Sequence, residues 1–126
     1  MQAQFILHIA TKSAWKRALR LGAYEPPSLE TEGFIHCSTP AQTVQTANSF
    51  FRGQSDLVLL RIDTSRVTAE LKLEPAAHAA HRQQTELFPH LYGPLNLEAV
   101  SEVIAFPCEP DGTFRLPKRL QTPSRA

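Results

Sequence analysis

Cysteine is scarce in this chain. Cys37 and Cys108 are the only two in 126 residues, so no disulfide framework carries the fold, and neither a C-x-x-C redox pair nor a zinc-knuckle spacing is formed. Long apolar runs are missing too. None approaches the ~20 residues that a bilayer span requires, and the amino terminus lacks a basic region followed by an apolar segment and a cleavage site. The expectation is a cytoplasmic protein with no membrane partner, in which a reducing environment keeps the two thiols apart. There is also no large excess of one charge, with 13 Lys+Arg against 12 Asp+Glu and a net charge of +1. Arg115, Lys118, Arg119 and Arg125 follow residue 114, where no acid stands, which leaves nine cations against 12 anions and a balance of −3 in the body. A mildly acidic body is a poor surface for nucleic acid, and no nucleic-acid partner is expected. The expectation is one domain over residues 1–114 with a basic, flexible tail over 115–126.

What is present is a set of clear periodic segments. "QFILHIAT" reads as a buried first strand, with Phe5, Leu7 and Ile9 on one face and Ile6, His8 and Ala10 on the other. "TKSAWKRALRLG" reads as a helix capped by Thr11 or Ser13 and stopped by Gly22. Pro26 and Pro27 make "AYEPPSLETEG" a loop. "FIHCS" is a short strand. The segment after it is a second helix, with Ser38 or Thr39 as cap, Pro40 in the first turn and Gly53 at the end. "DLVLLRID" is a near-continuous apolar run, the signature of a strand covered on both faces. "AELKLEP" alternates and is expected to be its hairpin partner. Residues 75–86 form a polar, alanine-rich connection that could act as a lid. "LFPHLYGPLN" reads as irregular because of Pro89, Gly93 and Pro94, and "NLEAVSEVIAFP" as a helical turn followed by a last strand. Strand, helix, strand, helix and then several strands make an α+β fold with a mostly antiparallel sheet.

Two stretches concentrate chemistry. In "GFIHCSTP", alternation places His36 and Ser38 on one side and Cys37 on the other. Cys37 then reads as a small core hydrophobe. Ser38 lies in no G-x-S-x-G elbow and reads more simply as a helix cap than as half of a Ser/His dyad. In "FPHLYGPL", two prolines and a glycine hold a rigid segment that presents His90 and Tyr92, with Gly93 beside them. His8, mid-strand among apolar residues, is either a satisfied core histidine or a ligand contact. Thr11, at the end of the same strand, is placed with the ligand-contacting residues. The amides that open the second helix are a natural anion seat, and Arg52 at its far end could pair with a phosphate. A zinc site through His8, His36 and His90 has the right ligand count but no close spacing such as H-E-x-x-H, and no metal ligand is assigned.

"ILHIATKSAW", "YEPPSLETEGFIHCSTPAQ", "ANSFFRG", "DLVLLRID" and "FPHLYGPLNLEAV" together resemble the domain of unknown function 952 family of small bacterial proteins, over nearly the whole chain up to residue 114. That resemblance implies an ADP-ribosyltransferase-like fold, with two small, mostly antiparallel sheets around a cleft and two helices from the amino-terminal half. It implies NAD or another ADP-ribose-bearing nucleotide as substrate, with no separate cofactor assigned. His8 would contact the ribose or nicotinamide side, Tyr92 would stack on nicotinamide, and His36, Ser38 and His90 would line the pocket, His36 and His90 in catalytic roles. Many transferases of that fold use a glutamate to stabilise an oxocarbenium-like sugar. No Q-x-E or E-x-E motif is expected to supply it here, and Glu86, just before "LFPHLYG", is read as the acid that lies close to the site residues. The alternatives are a non-catalytic module that senses a nucleotide or small metabolite, and a metal-dependent hydrolase through the three histidines.

Overall fold

The computed structural model describes residues 5–76 and 86–121. Eleven α and β elements run in the order β1 (Phe5–Thr11), α1 (Lys12–Leu21), β2 (Ala23–Tyr24), α2 (Ser28–Thr31), β3 (Ile35–His36), α3 (Pro40–Phe50), β4 (Leu57–Asp63), β5 (Glu70–Pro75), β6 (Leu87–Tyr92), β7 (Leu95–Asn96) and β8 (Val100–Ala105). Short 3-10 turns occupy Leu97–Ala99 and Lys118–Leu120. The fold is α+β, as expected, but the described strands form three sheets rather than two, in the orders β1-β4-β8, β2-β7 and β3-β6-β5. Every named strand pair is antiparallel.

The central sheet explains why the first strand and "DLVLLRID" are so apolar. Side chains alternate across a strand, and both faces here are covered. Ile6, Ala10, Val58, Leu60 and Ile62 pack on one side with Ala18, Tyr24, Ile35, Cys37, Leu91 and Leu95. Leu7, Ile9, Leu57 and Leu59 pack on the other with Ala47, Phe106, Phe114 and Leu120. A double bridge ties this sheet to the next: Leu7 and Ser38 exchange backbone N–H···O bonds of 2.8 Å each way.

Three expectations need correction. β4 does not pair with "AELKLEP"; it lies between β1 and β8, and β5 pairs with β6 in the register Leu73↔Pro89. "LFPHLY" is not irregular but the middle strand of its sheet. Pro89 is tolerated there because a strand residue turns its N and its O to the same neighbour. The Pro89 carbonyl accepts from Cys37 N–H at 3.0 Å, so the missing N–H also faces the end of β3, where one ladder bond is forgone, and the β5 side asks no N–H of Pro89. The "PPSLET" segment is not all loop, since α2 starts directly after Pro27, a position that suits a fixed φ.

The basic tail is packed as far as Gln121. Leu120 is buried with Phe106 and Phe114, Leu116 packs beside them, and Arg119 pairs with Glu102 on β8. Burial of apolar side chains therefore overrides the local charge. The proposed lid over 75–86 falls mainly on residues 77–85, outside the described residues. Among the described residues no helix is long and apolar enough to cross a membrane.

Candidate functional site

The segment from α2 through β3 and the paired strands β5 and β6 bring one group of side chains together. His36 and His90 are direct partners in the β3–β6 register. Their rings lie 5.7 Å apart, edge to face. Phe34 lies at 4.1 Å from His90 in a stacked arrangement and at 4.8 Å from His36. Tyr92 completes the aromatic group at 5.3 Å from Phe34. Cys37 faces the opposite side, in the core with Ile35, and burial pushes its thiol up to about 12. The split of the "HCS" run by strand alternation therefore holds for His36 and Cys37.

Each ring of the pair is held by a carboxylate. His36 Nε2 lies 3.1 Å from both oxygens of Glu32, one helical turn earlier in sequence. His90 Nδ1 donates to Glu74 Oε1 at 2.8 Å, and the Tyr92 hydroxyl donates to the same oxygen at 2.6 Å. The hydrogen bond from Tyr92, and then that from His90, holds the Glu74 carboxyl below its ordinary range, and the same contact raises Tyr92. His90 is only 3% exposed, whereas the His36 side chain is 39% exposed. With Nδ1 committed to Glu74, His90 Nε2 has no hydrogen-bond partner among the described residues.

Glu32, Glu74 and Phe34 were not singled out from sequence. For Glu32 the signal existed: it precedes His36 by four residues and closes the triplet Glu30-Thr31-Glu32. The expectation of no E-x-E or Q-x-E motif was wrong, because that triplet is E-x-E and Gln84-Thr85-Glu86 is Q-x-E. For Glu74 there was no local signal, since only the β5–β6 pairing brings it to His90.

The other candidates are placed elsewhere or are engaged by the fold. His8 is buried. Its Nδ1 must donate to the His36 carbonyl at 2.6 Å, so Nε2 accepts from the Tyr24 hydroxyl at 2.8 Å. Burial lowers its pKa to about 4, and burial also raises that of Tyr24. Neither nitrogen is left for a ligand or a metal, so the His8–His36–His90 zinc site is not formed. No group of three or more His, Cys, Asp or Glu among the described residues could hold a metal ion. Ser38 is also not the cap of α3. Its hydroxyl donates to Thr43 Oγ1 at 2.8 Å, because Thr43 itself donates to the Thr39 carbonyl.

The cap of α3 is Thr39. Its N–H is taken by Gln42 Oε1 at 3.0 Å, and Pro40 has no N–H, so the expected anion seat is largely filled by the chain itself. Thr11 caps α1 by accepting from Ala14 N–H at 3.1 Å. Arg52 stands past the other end of α3, about 16 Å along the helix axis from the β3 end, beside the turn at Gly112. Gly93 is required by close approach: at φ +151° a Cβ would meet the Ala69 Cβ at 2.8 Å. Glu86 accepts from Gln42 Nε2 at 3.2 Å, and Gln42 also donates to the Leu87 carbonyl, which ties α3 to β6. One face of the Tyr92 ring carries the Lys72 ammonium at 4.8 Å.

Comparison with known proteins fits this architecture. No curated protein matches the chain. Two crystal structures of protein CC0527 from Caulobacter crescentus, one of them a double mutant, are each 31% identical to it with a TM-score of 0.80, and the match covers 94% of this chain and 99% of theirs. The solution NMR structure of the same protein matches with 31% identity and a TM-score of 0.77, covering 94% of this chain and 98% of that one. Residues 9–103 match the model of a family described as protein of unknown function (DUF952). The chain belongs to that family.

Proposed function

We propose that the His36–His90 cluster is the working site of a transferase-like enzyme for a nucleotide of the NAD or ADP-ribose type, on a fold akin to the ADP-ribosyltransferases. The observation that carries the chemistry is the state of His90. It is buried, its Nδ1–H is fixed on Glu74, and its Nε2 is unpartnered among the described residues. A carboxylate on one nitrogen sets the tautomer and leaves the other as a base. Buried polar atoms are nearly always satisfied, and a substrate hydroxyl would satisfy this one. The nucleotide class is supported by the sequence resemblance.

In this reading the acceptor hydroxyl gives its proton to His90 Nε2 as its oxygen bonds to the ribose anomeric carbon. The bond from that carbon to nicotinamide breaks, and nicotinamide leaves as a neutral molecule. Glu32, the last residue of the E-x-E triplet and the partner of His36, supplies negative charge beside the cationic sugar. Tyr92 acts through Glu74 rather than by stacking on the ligand.

Isothermal titration with NAD and with ADP-ribose tests this. Binding heat is expected with the wild type, at least about tenfold weaker in His36→Ala and His90→Ala, as loss of a charged hydrogen bond predicts. No heat with either ligand, or unchanged affinity in both variants, overturns it. A second reading, a non-catalytic nucleotide sensor, is favoured by the fact that Glu32 and Glu74 are both already hydrogen-bonded. Nicotinamide release in the presence of candidate acceptors separates the two, because turnover excludes a pure sensor.

A further inference from the structure

Among the described residues, β5 is the only strand without a buried side chain. It ends its sheet, in the order β3-β6-β5, so its outer edge is unpaired among the described residues. The residues that use that edge follow from β6. Pro89 turns its carbonyl toward β3, where it accepts from Cys37. Leu73, its partner in register, therefore turns its own N–H and C=O away from β6. Leu71 and Pro75, two residues to either side, do the same. The outward N–H and C=O of Leu71 and Leu73 have no hydrogen-bond partner among the described residues. Leu71 is packed on the core, whereas Leu73 and the diagonally placed Leu87 are 63% and 44% exposed. Glu70, Lys72 and Glu74 lie on the opposite face, the one that carries His90.

A row of unpaired backbone groups is a template for another strand. We propose that the partner is a second copy of this chain, joined to it antiparallel through β5 about a two-fold axis at Leu73. The charges select both the partner and the register. With the axis there, Leu73 faces the partner's Leu73, Lys72 faces the partner's Glu74, and Glu74 faces the partner's Lys72. An axis at Lys72 or at Glu74 sets like charges against each other. An axis at Leu71 also pairs opposite charges, but it relies on Ala69, which lies outside the strand, where Asn96 already holds the chain at the Thr68 N–H. In the chosen register the Leu73 residues exchange N–H···O bonds, and each Leu71 N–H reaches the partner's Pro75 carbonyl. Pro75 has no N–H and ends the ladder. The exposed Leu73 side chains cover each other. The pairing also reaches the candidate site. Glu74 Oε1 accepts from His90 and Tyr92, and Oε2 has no hydrogen bond among the described residues. The partner's Lys72 meets that oxygen, so each copy supplies a cation to the carboxylate that holds the other's His90.

Sedimentation velocity over a dilution series tests the proposal on the intact chain. The wild type is expected to form a dimer that dissociates on dilution. Leu73→Glu and Leu73→Lys each place two like charges face to face at the axis, and each alone is expected to dimerise at least about tenfold more weakly. Mixed in equal amounts, the two variants set Glu against Lys, and a heterodimer is expected to form. Only an axis at Leu73 gives that recovery. Lys72→Glu is expected to weaken the dimer to a similar extent, through repulsion from the partner's Glu74. Both positions are exposed, and an unchanged circular dichroism spectrum checks that the variants remain folded. A wild-type monomer up to about 1 mM, a dimer of undiminished strength in the Leu73 variants, or no heterodimer on mixing overturns the proposal. Mass alone is read, so failure here leaves the nucleotide reading untouched.

Discussion

His8 and His90 are both buried, yet their surroundings make them opposites. His8 sits on the core side of the central sheet and uses both ring nitrogens within the fold, one on the His36 carbonyl and one on the Tyr24 hydroxyl. His90 sits on the middle strand of a smaller sheet, uses one nitrogen on a half-exposed carboxylate, and leaves the other unpartnered among the described residues. A histidine with both nitrogens used is a structural cross-link. A histidine with one nitrogen held and the other open is prepared for a ligand. The two are also in series, because the carbonyl that His8 grips belongs to His36, the cross-strand partner of His90.

The largest effect should come from removing the cross-link. His8→Ala leaves the Tyr24 hydroxyl and the His36 carbonyl unsatisfied and opens a void, for an expected loss of about 3–4 kcal/mol and a fall in Tm of roughly 10 °C or more. His90→Ala loses the stack on Phe34, but Glu74 keeps Tyr92 as a donor. About 1–2 kcal/mol of destabilisation is expected there, together with loss of nucleotide binding. Thermal and chemical denaturation of the two variants side by side checks the contrast. Equal losses of stability would remove the distinction between the two histidines.

The next effect is a dependence on pH, for which His8 gives the sign. Burial holds its folded pKa near 4, while an unfolded chain returns it to about 6.5. Between those values the unfolded state binds a proton that the folded state refuses, so stability falls as pH drops from about 6.5 toward 4 and is indifferent to this group below that. The full contribution is about 3 kcal/mol at most. Glu74 and Asp63, whose folded pKa values are lowered, add losses that begin as pH falls through the ordinary carboxylate range and continue below it, so Glu74 overlaps the acid end of this interval. Denaturation midpoints measured from neutral pH to pH 4 should slope downward in the wild type, and His8→Gln should flatten that interval. A slope that survives in His8→Gln would assign it to another group.

Sequence made the central sheet legible for the same reason that it makes the core stable. β1 and β4 are covered on both faces, so their apolar runs are long; both strands stand out in the sequence, and the two faces of β1 are split as expected. β6 was hidden because Pro89, Gly93 and Pro94 give a turn signal, while the property that admits Pro89, a nitrogen turned to the end of β3 where one ladder bond is forgone, belongs to tertiary structure. Pairing was misread for a similar reason. β5 follows β4 closely in sequence, yet it reaches across to β6, and nothing local distinguishes those choices. The candidate site inherits this limit. His36, His90 and Tyr92 stood out in short rigid segments, whereas Glu74 belongs to the site only through a strand pairing. His8, Thr11 and Ser38 carried the right chemistry but are hydrogen-bonded into the fold.

The finest distinction lies within the open site and rests on Tyr92. Its hydroxyl is the first cause of the depressed Glu74 carboxyl, ahead of His90. Tyr92→Phe keeps the ring, its contact with Phe34 and the Lys72 ammonium over its face, and removes only the donor to Oε1. Stability should change less than in either histidine variant, because Glu74 is solvated and His90 continues to donate to it. The titration should move instead. Without the Tyr92 hydrogen bond the Glu74 carboxyl protonates at higher pH, and a protonated carboxyl no longer fixes His90 by charge. The low-pH limb of nucleotide binding should therefore shift upward, with affinity at neutral pH close to that of the wild type. NMR titration of the Glu74 side-chain carboxyl reads the same shift directly. An unmoved Glu74 titration would mean that His90 alone holds the carboxylate and that Tyr92 is only a packing residue.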